Sequence, residues 1–198
     1  MSSLITFGET MLRLSPEPGT RIETASELEF RTAGAESNVA IAASNLGLEA
    51  VWASKLPDSP LGRRVVRDVR SHGAEPSIVW SSTGRQGTYY LEQGGEPRGT
   101  NVVYDRAHAA VRTTTIDELV DEIDLEAHDA CYVSGITPAL SDQLAETTDE
   151  LFRRARAAGA ETVFDLNYRS KLWSPSEARA VCEPLLERVN VLVVAARD

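Results

Sequence analysis

The chain has 198 residues, 42% of them apolar and 25% charged, with 30 Asp and Glu against 20 Lys and Arg and a formal charge of −10. That apolar share offsets chain entropy, so a mainly disordered state is excluded, and the length suits one core with room for a small appendage. The acid excess repels phosphate backbones and anionic membranes, which excludes nucleic acid and membrane as expected partners, and it suits a high-salt cytoplasm as well as ordinary ones. The longest apolar runs, such as 191–196, fall far short of the roughly 18 residues of a membrane helix. The opening Met-Ser-Ser-Leu lacks the basic start of a leader, so a cytoplasmic location is expected.

In chain order, Leu4-Ile5-Thr6-Phe7 before Gly8-Glu9 reads as a buried strand ending at a turn. Residues 37–46 carry Val39, Ala40, Ile41, Ala43 and Leu46 at helical spacings and stop at Gly47, and an apolar strand follows at 50–54. A helix over 61–71 and a strand at 77–80 continue the alternation. Later come a strand at 130–134, a helix over 141–158 ended by Gly159, a strand at 162–166, a helix over 176–188 and a final strand at 189–194. Ser174-Pro175-Ser176 suits a helix start, because proline loses nothing in the first turn. Short apolar strands alternating with amphipathic helices imply parallel pairing, with helices on both faces of a doubly wound α/β core.

Two stretches break that rhythm. Residues 11–32 alternate around Pro16-Glu17-Pro18-Gly19, and within 86–106 two strand-like runs flank Gln93-Gly94-Gly95-Glu96-Pro97-Arg98-Gly99. Both read as antiparallel hairpins that combine into a small sheet, a lid over the core. The acidic stretch 117–126 reads as a solvated helix and its exit, and Cys131 and Cys182 as buried free thiols.

Three constellations suit ligand chemistry. In Thr32-Ala33-Gly34-Ala35-Glu36-Ser37-Asn38, small residues at a loop-to-helix junction let backbone N–H groups approach a ligand, with Asn38 offering an amide; the alternative is a plain helix start capped near Ser37 or Asn38. On the second hairpin, Tyr104 and Arg106 share a face, with Tyr89 and Tyr90 on opposite faces of their strand. Such a surface suits a polar anion, or serves only as a cross-strand aromatic pair. Asp165-Leu166-Asn167-Tyr168-Arg169 follows a strand's C-terminal end, where open α/β sheets bind ligands, although a strand-end Asp also caps backbone. The isolated His72, His108 and His128 make no zinc-type pattern, and no metal ligand is assigned.

In this order the pieces resemble the N-terminal part of a ribokinase-like (PfkB) carbohydrate kinase: the strand-Gly-Glu start, Ala33-Gly34-Ala35-Glu36-Ser37-Asn38-Val39-Ala40, the interposed hairpins, Ser134-Gly135-Ile136, and Asp165-x-Asn167-x-Arg169 with Trp173. The resemblance covers nearly all of residues 1–198 and within the family is greatest to 2-keto-3-deoxygluconate kinases, with fructokinases and other ketose kinases sharing the scaffold. It implies a three-layer α/β/α core with a β-sheet lid from segments about 11–32 and 86–106, the C-terminal part missing. It implies transfer of the ATP γ-phosphate to a sugar hydroxyl, here the 6-hydroxyl of 2-keto-3-deoxygluconate, with Mg²⁺ offsetting phosphate charge. By the same resemblance Gly34 and Asn38 bind sugar hydroxyls, Tyr89 and Tyr104 enclose the sugar, Arg106 and Arg169 engage its acid end or the phosphate, and Asn167 and Asp198 lie towards the nucleotide.

Two departures qualify this. Pro57 in Leu56-Pro57-Asp58-Ser59-Pro60-Leu61-Gly62 stands where relatives usually have glycine, and the Gly-Ala-Gly-Asp turn carrying the family's catalytic base does not occur. The isolated chain is therefore expected to be inactive and to bind neither ATP nor Mg²⁺ well. The alternatives are a non-catalytic sugar-acid-binding fragment, an inactive gene remnant, or a fructokinase or ketohexokinase relative. Besides the small sugar or sugar acid, the expected partner is a second copy meeting through the lid or a chain supplying the C-terminal part.

Overall fold

The computed structural model describes residues 2–196 and 198. The chain runs through β1 (Ser3–Phe7), β2 (Met11–Ser15), β3 (Glu29–Ala33), α1 (Ala35–Asn45), β4 (Glu49–Pro57), α2 (Pro60–Ser71) and β5 (Glu75–Ser81). It continues through β6 (Thr88–Gln93), β7 (Thr100–Asp105), α3 (Ile116–Val120), β8 (Ala130–Ser134), α4 (Asp142–Ala157), β9 (Glu161–Asp165), α5 (Pro175–Leu185) and β10 (Val191–Val193). Six strands form a parallel sheet in the order β10-β9-β8-β1-β4-β5.

Alternating side chains place the core on both faces of this sheet. Ile5, Phe7, Cys131, Val133 and Phe164 pack with Leu144, Leu151 and Phe152 of α4 and with Ala178, Cys182 and Leu185 of α5. Leu4, Trp52 and Tyr132 face the other way, onto Ala40 and Ala43 of α1 and Val65 and Val69 of α2. This period-two division is what a sheet covered on both faces requires. Both cysteines are free and buried, and burial pushes their thiols up, Cys131 to about 12 and Cys182 to about 11.

The chain moves outward from β1 through β4 to β5, then returns to build β8, β9 and β10 on the opposite side. The order therefore reverses between β1 and β8, and open α/β sheets bind ligands outside the carboxyl ends at such a reversal.

The hairpins form one four-stranded sheet, β3-β2-β6-β7, in which antiparallel pairs β2–β3 and β6–β7 meet through parallel pairing of β2 with β6. Sequence alternation identifies the hairpins but not this parallel seam, which long-range pairing decides.

Several local expectations change. Helix α1 starts at Ala35 with Gly34 as its cap, so Ser37 and Asn38 lie inside the first turn; Ser37 Oγ donates back to the Gly34 carbonyl at 3.3 Å. Gly34 is extended, and a Cβ there would collide with the Glu9 carbonyl oxygen, so close approach selects glycine over a side-chain cap. Strand β4 runs on to Pro57 because β5 pairs with it as far as Ser81. The acidic stretch 117–126 is not solvated throughout: Glu118 receives the buried Lys55 ammonium at 2.7 Å and closes a capping box with Thr115. That pair holds the Glu118 carboxyl below its usual range against the opposing effect of burial.

Candidate functional site

The floor of the site is organised by Glu36. The second residue of α1 and 1% exposed, it reaches the carboxyl ends of β1 and β8, where its Oε1 accepts from Ser134 N (3.0 Å), Ser134 Oγ (2.7 Å) and Thr137 Oγ1 (2.8 Å). A Cβ on Gly8 would occupy the space of this carboxyl, so Gly8 makes room for it. Burial pushes the Glu36 carboxyl above its usual range, opposed by those hydrogen bonds. Beside it, Tyr132 Oη donates to Asp165 Oδ2 at 3.1 Å, and Gly135 N donates to the Asp165 carbonyl at 2.8 Å. Asp165 thus ties β8 to β9 below the opening.

A cavity of about 500 Å³ lies above this floor, walled by Glu9, Met11, Gly34, Ala35, Ile136 and the loop from Tyr168 to Leu172, with Asp198 at its edge and Tyr104 and Arg106 from the lid. Its size and mixed lining suit a small polar ligand. Where β7 ends, Arg106 turns into the core and forms a buried ion pair with Glu9, the side chains only 10% and 3% exposed. Burial raises the Glu9 carboxyl and the guanidinium opposes that rise. Glu9 Oε1 and Arg106 Nε have no hydrogen-bond partner among the described residues.

Gly34, Tyr104, Arg106, Arg169 and Asp198 thus meet in one cavity, whereas Asn38, Tyr89 and Asn167 lie off its wall. Asn38 is exposed on α1. Tyr89 stands behind Tyr104, ring centroids 5.9 Å apart, in the register that pairs the two residues across β6 and β7. Asn167 follows β9 in a left-handed conformation, φ 39°, which Asn tolerates better than most residues. Asp198 borders this cavity and a second, more apolar one between Leu166, Tyr168 and α5, and its Oδ2 accepts from Ala195 N at 3.1 Å.

Sequence reasoning missed Glu9, Glu36 and Lys171. The first two sit within recognised motifs, but nothing local announces a buried carboxylate whose partners lie 97 and 98 positions away. Arg106 accordingly does not supply unopposed positive charge, because Glu9 neutralises it. Arg169 and Lys171 donate to the carbonyls of Tyr168 (3.4 Å) and Val102 (3.2 Å), neutral acceptors that leave their charges at the cavity.

The profile described as pfkB family carbohydrate kinase matches residues 1–198. The chain belongs to that family. It is 64% identical over 197 residues to a 2-dehydro-3-deoxygalactonokinase of Haloferax volcanii, covering 100% of this chain and 62% of that protein. A 2-dehydro-3-deoxygluconokinase of Bacillus subtilis is 32% identical, with 89% of this chain and 54% of the relative covered. Among solved structures, that of 2-dehydro-3-deoxygluconokinase from Thermotoga maritima superposes with a TM-score of 0.91 at 36% identity, covering 98% of this chain and 60% of its own. The pfkB chain thus spans about three-fifths of these longer relatives and corresponds to their N-terminal portion. No helix among its described residues is long and apolar enough to cross a membrane.

Proposed function

We propose that this chain forms the sugar-binding and lid-bearing part of a kinase that phosphorylates a 2-keto-3-deoxy sugar acid on its 6-hydroxyl. The observation that carries the reading is the meeting of Gly34, Tyr104, Arg106, Arg169 and Lys171 around one cavity at the sheet's reversal point. Gly34 lets backbone approach sugar oxygens, the Tyr104 ring covers a carbon face, and Arg169 attracts the acid end. Tyr89 acts from behind this wall by supporting the Tyr104 ring. Phosphoryl transfer depends chiefly on such positioning and on charge stabilisation.

The H. volcanii relative makes the galactonate epimer the first substrate to test, with the gluconate epimer second. The nucleotide and catalytic base are proposed to belong to the portion of the relatives that this chain does not span. Among the described residues no group of three or more His, Cys, Asp or Glu could hold a metal ion. Magnesium on phosphates needs only one or two carboxylates, and Asp198, bordering both cavities, is suitably placed, with Asn167 nearby on the loop after β9.

A second reading, a non-catalytic sugar-acid-binding chain completed by another polypeptide, is favoured by β10. Val191, Leu192, Val193 and Val194 are 45–52% exposed, and among the described residues β10 pairs only with β9. Calorimetric titration of the 198-residue protein with both sugar acids and with fructose, beside an ATP-coupled turnover assay, tests the assignment. Sugar acids are expected to bind more tightly than fructose, without turnover. Equal affinity for fructose overturns the acid assignment, and turnover at ordinary kinase rates overturns the division of labour between this chain and the remainder.

A further inference from the structure

The lid's edge strand is β7, which among the described residues pairs only with β6. An edge strand so held frays easily, because each residue is fixed by a single ladder. Its end is held by the Arg106–Glu9 pair and by Arg85, whose guanidinium grips Asp105 with bonds of 2.6 and 2.5 Å. Neither contact reaches the middle of the strand. An exposed side chain from the opposite side of the cavity does: Lys171, from the loop after β9, donates to the Val102 carbonyl at 3.2 Å, and its ammonium lies 5.8 Å from the centre of the Tyr104 ring. The Arg106 guanidinium lies 5.7 Å from the same ring. Tyr104 therefore sits with a cation from that loop and another from the lid's foot near it, while Tyr89 packs beside it.

We propose that Lys171 is a positioning residue that latches the lid to the core, holding the middle of β7 so that Tyr104 stays over the cavity. The role deepens the sugar-acid reading, because it concerns the same site, but the latch stands on contacts within the protein and operates before any ligand arrives. Both contacts are exposed, so water competes for the ammonium and each contributes little net, and the latch opens readily. Arginine at this position has the reach and charge to restore both contacts, whereas methionine keeps the stem and loses both.

Hydrogen exchange of the ligand-free protein tests the latch. In Lys171→Met, the β7 amides between Thr100 and Asp105 that bond to β6 are expected to exchange on the order of three- to tenfold faster, with α2 and α4 amides unchanged. Lys171→Arg is expected to bring β7 protection back. Unchanged β7 exchange in Lys171→Met overturns the latch, and so does an acceleration spread equally over α4, which would mark general destabilisation. Failure of Lys171→Arg to restore protection also overturns it. A separate titration with the sugar acid distinguishes the two ideas: no binding by the unsubstituted protein overturns the substrate reading, while the exchange result still decides the latch.

Discussion

The floor of the cavity and its lid are built by opposite strategies. Glu36 lies 1% exposed with one oxygen accepting three hydrogen bonds, and its neighbours Gly8 and Ser134 belong to adjacent strand ends. The lid edge instead leans on exposed contacts: the Arg85–Asp105 pair, with side chains 45% and 42% accessible, and Lys171 on Val102. Buried polar groups are costly when a partner is removed, whereas exposed pairs gain little from Coulomb attraction in water. The floor is therefore held strongly, and the lid edge weakly. Arg106 joins the two, as a lid residue whose partner is the core carboxylate of Glu9.

Removing Arg106 should have the largest effect. Arg106→Met leaves Glu9 buried without its counter-charge, and a loss of about 3–5 kcal/mol is expected in urea unfolding. The loss should grow as pH climbs from the unfolded carboxyl range through the raised folded one, because burial without Arg106 favours the protonated Glu9 and its ionisation then opposes folding. Substituting both partners, Glu9→Gln with Arg106→Gln, should recover part of the stability; a double variant as unstable as Arg106→Met would contradict a charge-based account.

Glu36→Ala comes next, with an expected cost of about 2–4 kcal/mol from buried donors left without an acceptor. Glu36→Gln keeps an acceptor and isolates the titration. Because the folded pKa of Glu36 is raised, its ionisation reduces stability as pH climbs from the unfolded value through the folded one. The difference in unfolding free energy between Glu36→Gln and the unsubstituted protein should therefore favour the variant increasingly as pH rises over that window, and a difference independent of pH would refute the burial argument.

At the small end, Arg85→Gln should leave the urea midpoint where it is while accelerating amide exchange near Asp105. The Asp105 carboxyl is held low by Arg85, so the local contribution of the pair is present above the unfolded pKa and is lost as pH falls through the folded one. A midpoint shift as large as that of Arg106→Met would erase the distinction between floor and lid.

What the chain announces locally was legible. The run at 130–134 reads as a strand because four of its residues are apolar or aromatic and it lies between turn residues, and β8 occupies that range. Gly34, Tyr104, Arg106 and Arg169 stood out by motif and by alternation, and the cavity joins them. Asn38 stood out equally, yet it lies exposed on α1, because a helix start carries several polar residues and only their orientation decides which one faces a ligand. Lys171 was invisible for the converse reason: a lysine in a polar loop acquires meaning only when β7, 69 positions earlier, lies against it.

Taken by itself, the amino-acid sequence determined the alternation of strands and helices, the two hairpins and the motif order of a pfkB carbohydrate kinase, because periodicity, turn chemistry and backbone freedom act over a few residues. Tertiary structure alone decided the β2–β6 seam, the Glu9–Arg106 and Glu36–Ser134 contacts, and which polar residues share a cavity. Those are meetings of distant segments, set by sheet order and by the need of buried charge and hydrogen-bonding groups to find partners wherever the fold brings them.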